Sequence, residues 1–207
     1  MSRPISRTDR SEAERAEAWW QGLSAPWQRA FRQAVPGLAS DADTPGTEAL
    51  LDLVSSTVLR LAGPRAPFPN LDFELEDLTG VAGLRSLRIL SVTDMRIRSV
   101  EPLSTLTSLE ELFLQDNRIE SLAGIEPLAA LEALYCQGNR IESLEPIRPL
   151  TRLRTLYASR NAFACIDGLH EGHLAALEQL YLLPSDALAP AEVARVQREL
   201  GVLCRQG

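Results

Sequence analysis

Apolar and polar positions along the chain fall into a line that is written again and again. Residues 109–122 read LEELFLQDNRIESL and residues 131–144 read LEALYCQGNRIESL. Leu87 opens LRILSVTDMRIRSV upstream, Leu153 opens LRTLYASRNAFACI downstream, and Leu177 opens LEQLYLL. Successive starts are 22, 22, 22 and 24 residues apart. A fixed period of this length marks a stacked solenoid. Inside a unit the apolar residues alternate, as Leu112–Phe113–Leu114 do between Glu111 and Gln115. Period two predicts a strand with Leu112 and Leu114 on one face. One such strand cannot bury that face alone, so neighbouring units are expected to stack as parallel strands about 4.8 Å apart.

The remaining features of the unit concern how the chain leaves the strand and returns. Asn117, Asn139 and Asn161 recur at the turn out of the strand. There an amide side chain can satisfy backbone groups that the coil would otherwise bury without partners. Met95 takes that place in the first full unit. Pro102, Pro127 and Pro146 interrupt any helix on the return side and predict short 3₁₀ turns and extended chain. The pattern dissolves after Leu182.

The flanks carry helical periodicity instead. After a flexible tail over 1–8, residues 9–66 are expected to form a helical cap holding all three tryptophans. Ser11 and Glu14 have the spacing of a capping box for a first helix. Trp27, Phe31 and Ala34 share one face of a second, which follows Ser24 and a proline. The stretch TPGTEALLDLVSSTVLRLAG predicts a third, with Leu50, Leu51, Val54, Val58 and Leu61 on its stripe and Gly63 as its stop. A proline-rich loop then enters a shortened first unit whose strand is LDFEL. Repeats are assigned to 67–184. The segment 185–207 is assigned to a capping helix with Val193, Val196 and Leu200 on its apolar face. Caps at both ends are what the open edges of a solenoid require.

The spacing L-x-x-L-x-L-x-x-N-x-I-x-x-L-x-P-L-x-x-L resembles the leucine-rich repeat. It is most similar to the 22-residue subtype of the internalins and of the regulatory subunit of protein phosphatase 1, and the resemblance covers roughly residues 68–184. It implies an α/β solenoid, short and right-handed, with about five repeats and a parallel sheet on its concave side. It further implies a non-catalytic adaptor or regulator, stand-alone and bacterial, that binds another protein such as a signalling enzyme or a small GTPase. The tryptophan-bearing helix pair also resembles a segment that precedes the repeats in some bacterial leucine-rich proteins.

Composition narrows the partner class. The chain is 45% hydrophobic and 24% charged, with a net charge of −7. That sign argues against nucleic acid or an anionic membrane as partner. No run of apolar residues is long enough to span a bilayer, and MSRPISRTDRSEAER lacks the apolar core of a signal peptide. Cys136, Cys165 and Cys204 are few and odd in number, which predicts reduced thiols and a cytoplasmic protein. All 21 basic residues are arginine, as a GC-rich genome would produce, or as selection against lysine modification would in a delivered effector.

The strand register supplies the candidate site. The residue between the two inward leucines points onto the concave surface, and down the stack that column reads Ser91, Phe113, Tyr135, Tyr157 and Tyr181. Every tyrosine of the chain stands in it. One column earlier are Ile89, Glu111, Ala133, Thr155 and Gln179; one column later are Thr93, Gln115, Gln137, Ser159 and Leu183. Aromatic residues on a polar surface are the usual anchors of protein interfaces. Glu111, Gln115, Asp116, Gln137 and Arg160 would set specificity around them. Stacking for sheet stability is the other reading of the same rings.

Weaker candidates are an Arg96–Arg118–Arg140 ladder with Glu120 and Glu142, which reads as a surface ion-pair lattice. His170 and His173 near Cys165 lack zinc-helix spacing and a fourth ligand, so no metal is expected. The acidic end made by Asp41, Asp43, Asp72, Glu74, Glu76 and Asp77 has no nucleophile or histidine converging on it. Neither an enzyme nor a cofactor is implied. The expectation is a protein-docking module, monomeric by preference, with an effector or immunity protein and a self-associating structural piece as the other readings.

Overall fold

The structure, a computed structural model, describes residues 7–38, 44–185, 187–201 and 203–206. Three helices come first: α1 (Arg7–Gln21), α2 (Ala25–Ala34) and α3 (Thr47–Ser55). Six strands follow: β1 (Val58–Ala62), β2 (Ile89–Thr93), β3 (Glu111–Phe113), β4 (Ala133–Tyr135), β5 (Thr155–Tyr157) and β6 (Gln179–Leu183). Then come α4 (Pro190–Leu200) and a last strand, β7 (Cys204–Gln206). All seven strands pair in parallel, in chain order, in one open sheet. Short 3₁₀ turns at Thr79–Val81, Glu101–Thr105, Glu145–Ile147 and Glu171–His173 form the return side, with Pro102 and Pro146 in the first turn of two of them.

The core is a set of columns. Leu90, Leu112, Leu134, Leu156 and Leu180 are register partners on successive strands, and every one is fully buried. Cys136 holds an inward position in place of leucine, and burial alone pushes its thiol up to about 12. The asparagine ladder closes the inner turn. The Asn139 Oδ1 accepts from the Ile119 N–H at 3.0 Å, while its Nδ2 donates to the Leu114 and Cys136 carbonyls at 2.9 and 3.0 Å. Asn117 and Asn161 repeat those bonds one unit away on either side. Met95 keeps a weaker version of them, its Sδ accepting from the Leu75 N–H at 3.3 Å.

The N-terminal helices dock on the first unit through tryptophan. Trp27 is fully buried, and a Cβ added at Gly80 would stand 2.1 Å from its ring. Glycine there is what lets the indole lie flat on the chain. Its Nε1 donates to Asp77 Oδ1 at 3.0 Å. Arg29 and Gln33 reach Asp72 from the same helix, at 2.7 and 2.8 Å. Phe31 packs against Trp19, Trp20 and Trp27 with centroids 5.3–6.3 Å apart.

Four sequence expectations change here. The third helix stops at Ser55, and Val58–Ala62 is instead the first strand, so Gly63 ends a strand rather than a helix. LDFEL is not a strand; β1 already occupies that place in the sheet, and Leu71 and Leu75 descend into the core beyond it. Ser11 lies inside α1, which starts at Arg7, and does not cap it. The C-terminal segment adds β7 to its helix. Residues 1–6 of the expected tail, and Asp41 and Asp43, lie outside the described residues. Among the described residues no helix is long and apolar enough to cross a membrane.

Candidate protein-binding face

The outward column forms as the register requires. Pairing brings Phe113 beside Tyr135, Tyr135 beside Tyr157, and Tyr157 beside Tyr181. The rings stack nearly parallel, with centroids 4.6, 4.9 and 3.9 Å apart and interplanar angles of 9°, 23° and 16°. All four are half-buried rather than fully exposed, because each ring covers its neighbours' faces and presents its edge to solvent. Stacking of this kind is worth about 0.5–1.5 kcal/mol per pair. The two readings of the column therefore coexist in one arrangement.

Two further residues join it that the sequence did not reveal. Arg60 is the partner of Ser91 on β1, and Arg205 is the partner of Tyr181 on β7. Arg205 places its guanidinium 6.0 Å from the Tyr181 centroid and Nη1 at 3.5 Å from the hydroxyl. Nothing in the repeat pattern could have found either, since one lay in an apparent helix and the other beyond the last recognisable unit.

The phenols do not share one acidity. A hydrogen bond to Tyr181, then burial, pushes Tyr157 up to about 12. The same hydrogen bond, with Arg205 beside it, pulls Tyr181 below the ordinary tyrosine value. Burial, with Glu111 nearby, raises Tyr135.

Beside the rings runs the amide column. Gln115 Oε1, Gln137 Oε1 and Ser159 Oγ are buried without a hydrogen-bond partner. The next residue along each strand exit has positive φ: Asp94 at 54°, Asp116 at 55°, Gly138 at 68° and Arg160 at 55°. That turn swings Asp116 and Arg160 together across Gly138, to 3.6 Å. Glu111, Gln115, Asp116, Gln137 and Arg160 thus all border the aromatic column, as expected from their spacing.

The other candidates resolve into structural contacts. Glu74 is paired with Arg65 at 2.9 Å and with Arg96, which takes Arg96 out of a free arginine ladder. Asp72 is lowered by Gln33 and Arg29, and Asp77, raised by burial, is brought back below its ordinary value by Thr79 and Trp27. His170 Nδ1 accepts from the Gly172 N–H at 3.0 Å, and its Nε2 lies 2.9 Å from the Arg148 carbonyl. His173 is fully buried. All three cysteines are free. Among the described residues no cluster of three potential metal ligands occurs.

Comparison with known proteins agrees with this architecture. Residues 107–149 match the family described as Leucine Rich repeats (2 copies). A search of curated proteins gives no match to the chain. Among solved structures, internalin C2 of Listeria monocytogenes is similar at 27% identity and a TM-score of 0.55, over 63% of this chain and 57% of that one. A leucine-rich repeat protein of Leptospira interrogans is similar at 26% identity and a TM-score of 0.59, over 71% of this chain and 37% of that one. A second Listeria monocytogenes internalin, at 21% identity, shares the fold, with a TM-score of 0.52 over 64% of this chain and 39% of that one. This chain thus spans little more than half of internalin C2 and under two fifths of the other two. Seven parallel strands, buried leucine columns and an asparagine ladder together form a leucine-rich repeat solenoid that resembles those of the internalins.

Proposed function

We propose that the chain is a cytoplasmic adaptor or regulator that docks a partner protein on its concave sheet, with Phe113, Tyr135, Tyr157 and Tyr181 as anchors. Leucine-rich repeats support protein interaction in general. The observation that carries the sharper reading is the concentration of every tyrosine in one half-buried column, beside side-chain oxygens that lack partners. Unpaired buried acceptors cost roughly 1–3 kcal/mol each. A partner that brings donors into the column and covers the ring edges relieves that cost. Glu111 and Asp116 on one side and Arg160 on the other select its charges.

The test pairs a melt with a titration. Affinity capture on the purified chain identifies the partner. The double variant Tyr135→Ser, Tyr157→Ser is then compared with the parent chain. It breaks all three ring contacts, so it should lose about 1.5–4.5 kcal/mol of stability yet remain folded at 25 °C. Binding should weaken by about 2 kcal/mol or more, roughly 30-fold. A folded variant that binds its partner at the parent affinity would remove the concave face from consideration.

A further inference from the structure

The ring column is incomplete at one end. Parallel pairing sets Arg60, Ser91, Phe113, Tyr135, Tyr157, Tyr181 and Arg205 side by side across all seven strands. At the C-terminal end the last ring meets a cation directly, Arg205 against Tyr181. At the N-terminal end the cation is present but the ring is missing. Ser91 stands between Arg60 and Phe113, and the ring contact of Phe113 is with Tyr135, on its other side. The free face of Phe113 therefore looks along the column, over Ser91, toward Arg60.

The gap has the thickness of one ring. Neighbouring strands lie about 4.8 Å apart, so the roots of Arg60 and Phe113 are separated by roughly 10 Å. A ring seated on Phe113 at the 4.6 Å spacing that Tyr135 adopts would take half of that distance. An Arg60 side chain laid over the other half would hold its guanidinium within the roughly 6 Å of favourable cation–π contact. Val58 and Ile89 flank the gap on one side, and Val58 is 43% exposed. Ala62 and Thr93 flank it on the other.

We infer that this gap is a socket for one neutral aromatic side chain of a partner protein, completing the stack between Phe113 and Arg60. The inference rests on the concave face being the docking surface. A carboxylate would suit Arg60, but it would have to shed water against Val58 and Ile89 and approach Glu111. An aliphatic side chain would fill the space without stacking on the Phe113 face. A nucleobase is planar too, but its phosphates meet a chain of net charge −7.

The experiment uses the isotope-labelled full chain and three probes: the capped peptides Gly-Trp-Gly and Gly-Leu-Gly, and adenosine monophosphate. Backbone amide shifts are followed through each titration. Gly-Trp-Gly should give saturable shifts centred on Arg60, Ser91 and Phe113, with Gly-Leu-Gly about tenfold weaker, a 1.4 kcal/mol difference. Ser91→Tyr plugs the gap with the chain's own ring and should abolish the response; Arg60→Ala should weaken it several-fold. Ser91→Leu fills the same space without a planar group and serves if the tyrosine disturbs folding. Equal response to the leucine peptide, tighter binding of the nucleotide, or shifts centred elsewhere would each overturn the socket. So would an unchanged response in folded Ser91→Tyr or Ser91→Leu. If the double tyrosine variant loses its partner while Gly-Trp-Gly never reaches Ser91, the socket is wrong and the docking face stands. If the peptide fills the socket but that variant binds normally, the docking reading fails and takes with it the assignment of the socket to the partner, leaving only a site for an aromatic ring.

Discussion

At Asn117, Asn139 and Asn161 the chain closes its inner turn with the same side chain three times, whereas the first unit uses Met95 there. The last unit departs at another column. Leu84, Leu106, Leu128 and Leu150 accept the same return-side backbone bond in four successive units, and His173 accepts it in the fifth. The edge of the sheet differs too. Among the described residues no strand lies beyond β1, and the Asn70 side chain takes its place, accepting from the Ala62 N–H and donating to the Arg60 carbonyl, both at 2.7 Å. A central unit has identical neighbours and meets its needs by repetition. An end unit has one neighbour of a different kind, and each of its needs is met by a local substitute. Repetition is therefore a property of the middle of such a molecule, and individuality belongs to its ends.

The largest expected effect tests that contrast at one column. Asn139→Leu strands three buried backbone groups and should destabilise by about 3 kcal/mol or more. Met95→Leu removes one weak sulfur acceptor while nearly conserving volume, and should cost less than about 1.5 kcal/mol. Chemical denaturation of both variants gives the difference directly. Equal losses would mean that the ladder contributes shape rather than hydrogen bonds, and that centre and edge do not differ.

The same contrast explains what was legible in the sequence. Period two in LEELFLQ and LEALYCQ fixed the inward leucines, the outward rings and the turn asparagines, since a repeated environment leaves a repeated residue. VLRLA escaped because Val58 and Leu61 continue the helical spacing of Leu50, Leu51 and Val54. Only pairing with β2 decides between the two periods, and pairing is not local. LDFEL misled in the opposite direction: Leu71, Phe73 and Leu75 alternate, but the neighbouring strand position was already filled. Arg60 and Arg205 became visible as members of the ring column only once β1 and β7 were in place.

A smaller effect belongs to the last unit. Burial first, then the neighbouring His170, lowers the His173 imidazole below its ordinary value, with Arg148 acting in the same direction. Its Nδ1 accepts from the His170 N–H at 3.3 Å and its Nε2 lies 3.4 Å from the Ile147 carbonyl, an arrangement suited to the neutral ring. A histidine whose folded value is depressed binds fewer protons folded than unfolded. Its contribution is thus intact above the unfolded value of about 6.5 and is lost as pH falls below it. Thermal melts should show Tm declining as pH drops from 7 through 6. His173→Leu, which restores the residue of the four preceding units, should flatten that decline. A variant as pH-sensitive as the parent chain would place the acid response elsewhere.

The smallest effect is read within the ring column itself. Because every tyrosine of the chain lies there, tyrosinate absorbance in an alkaline titration reports the column and nothing else. Tyr181, at the end nearest Arg205, should ionise first, below the ordinary value of about 10. Tyr157, in the interior of the stack, should ionise last, at about 12, because it donates its proton to Tyr181 and is shielded by rings on both faces. Tyr135 should fall between them, raised by burial and by Glu111. Arg205→Ala removes a donor and a positive charge from the Tyr181 oxygen, so the first step should move upward. The Tyr135 step should scarcely change, since Arg205 lies three strands beyond it. Three coincident ionisations would show that the rings titrate as independent exposed phenols, and the hydrogen-bonded end of the stack would then not exist in solution.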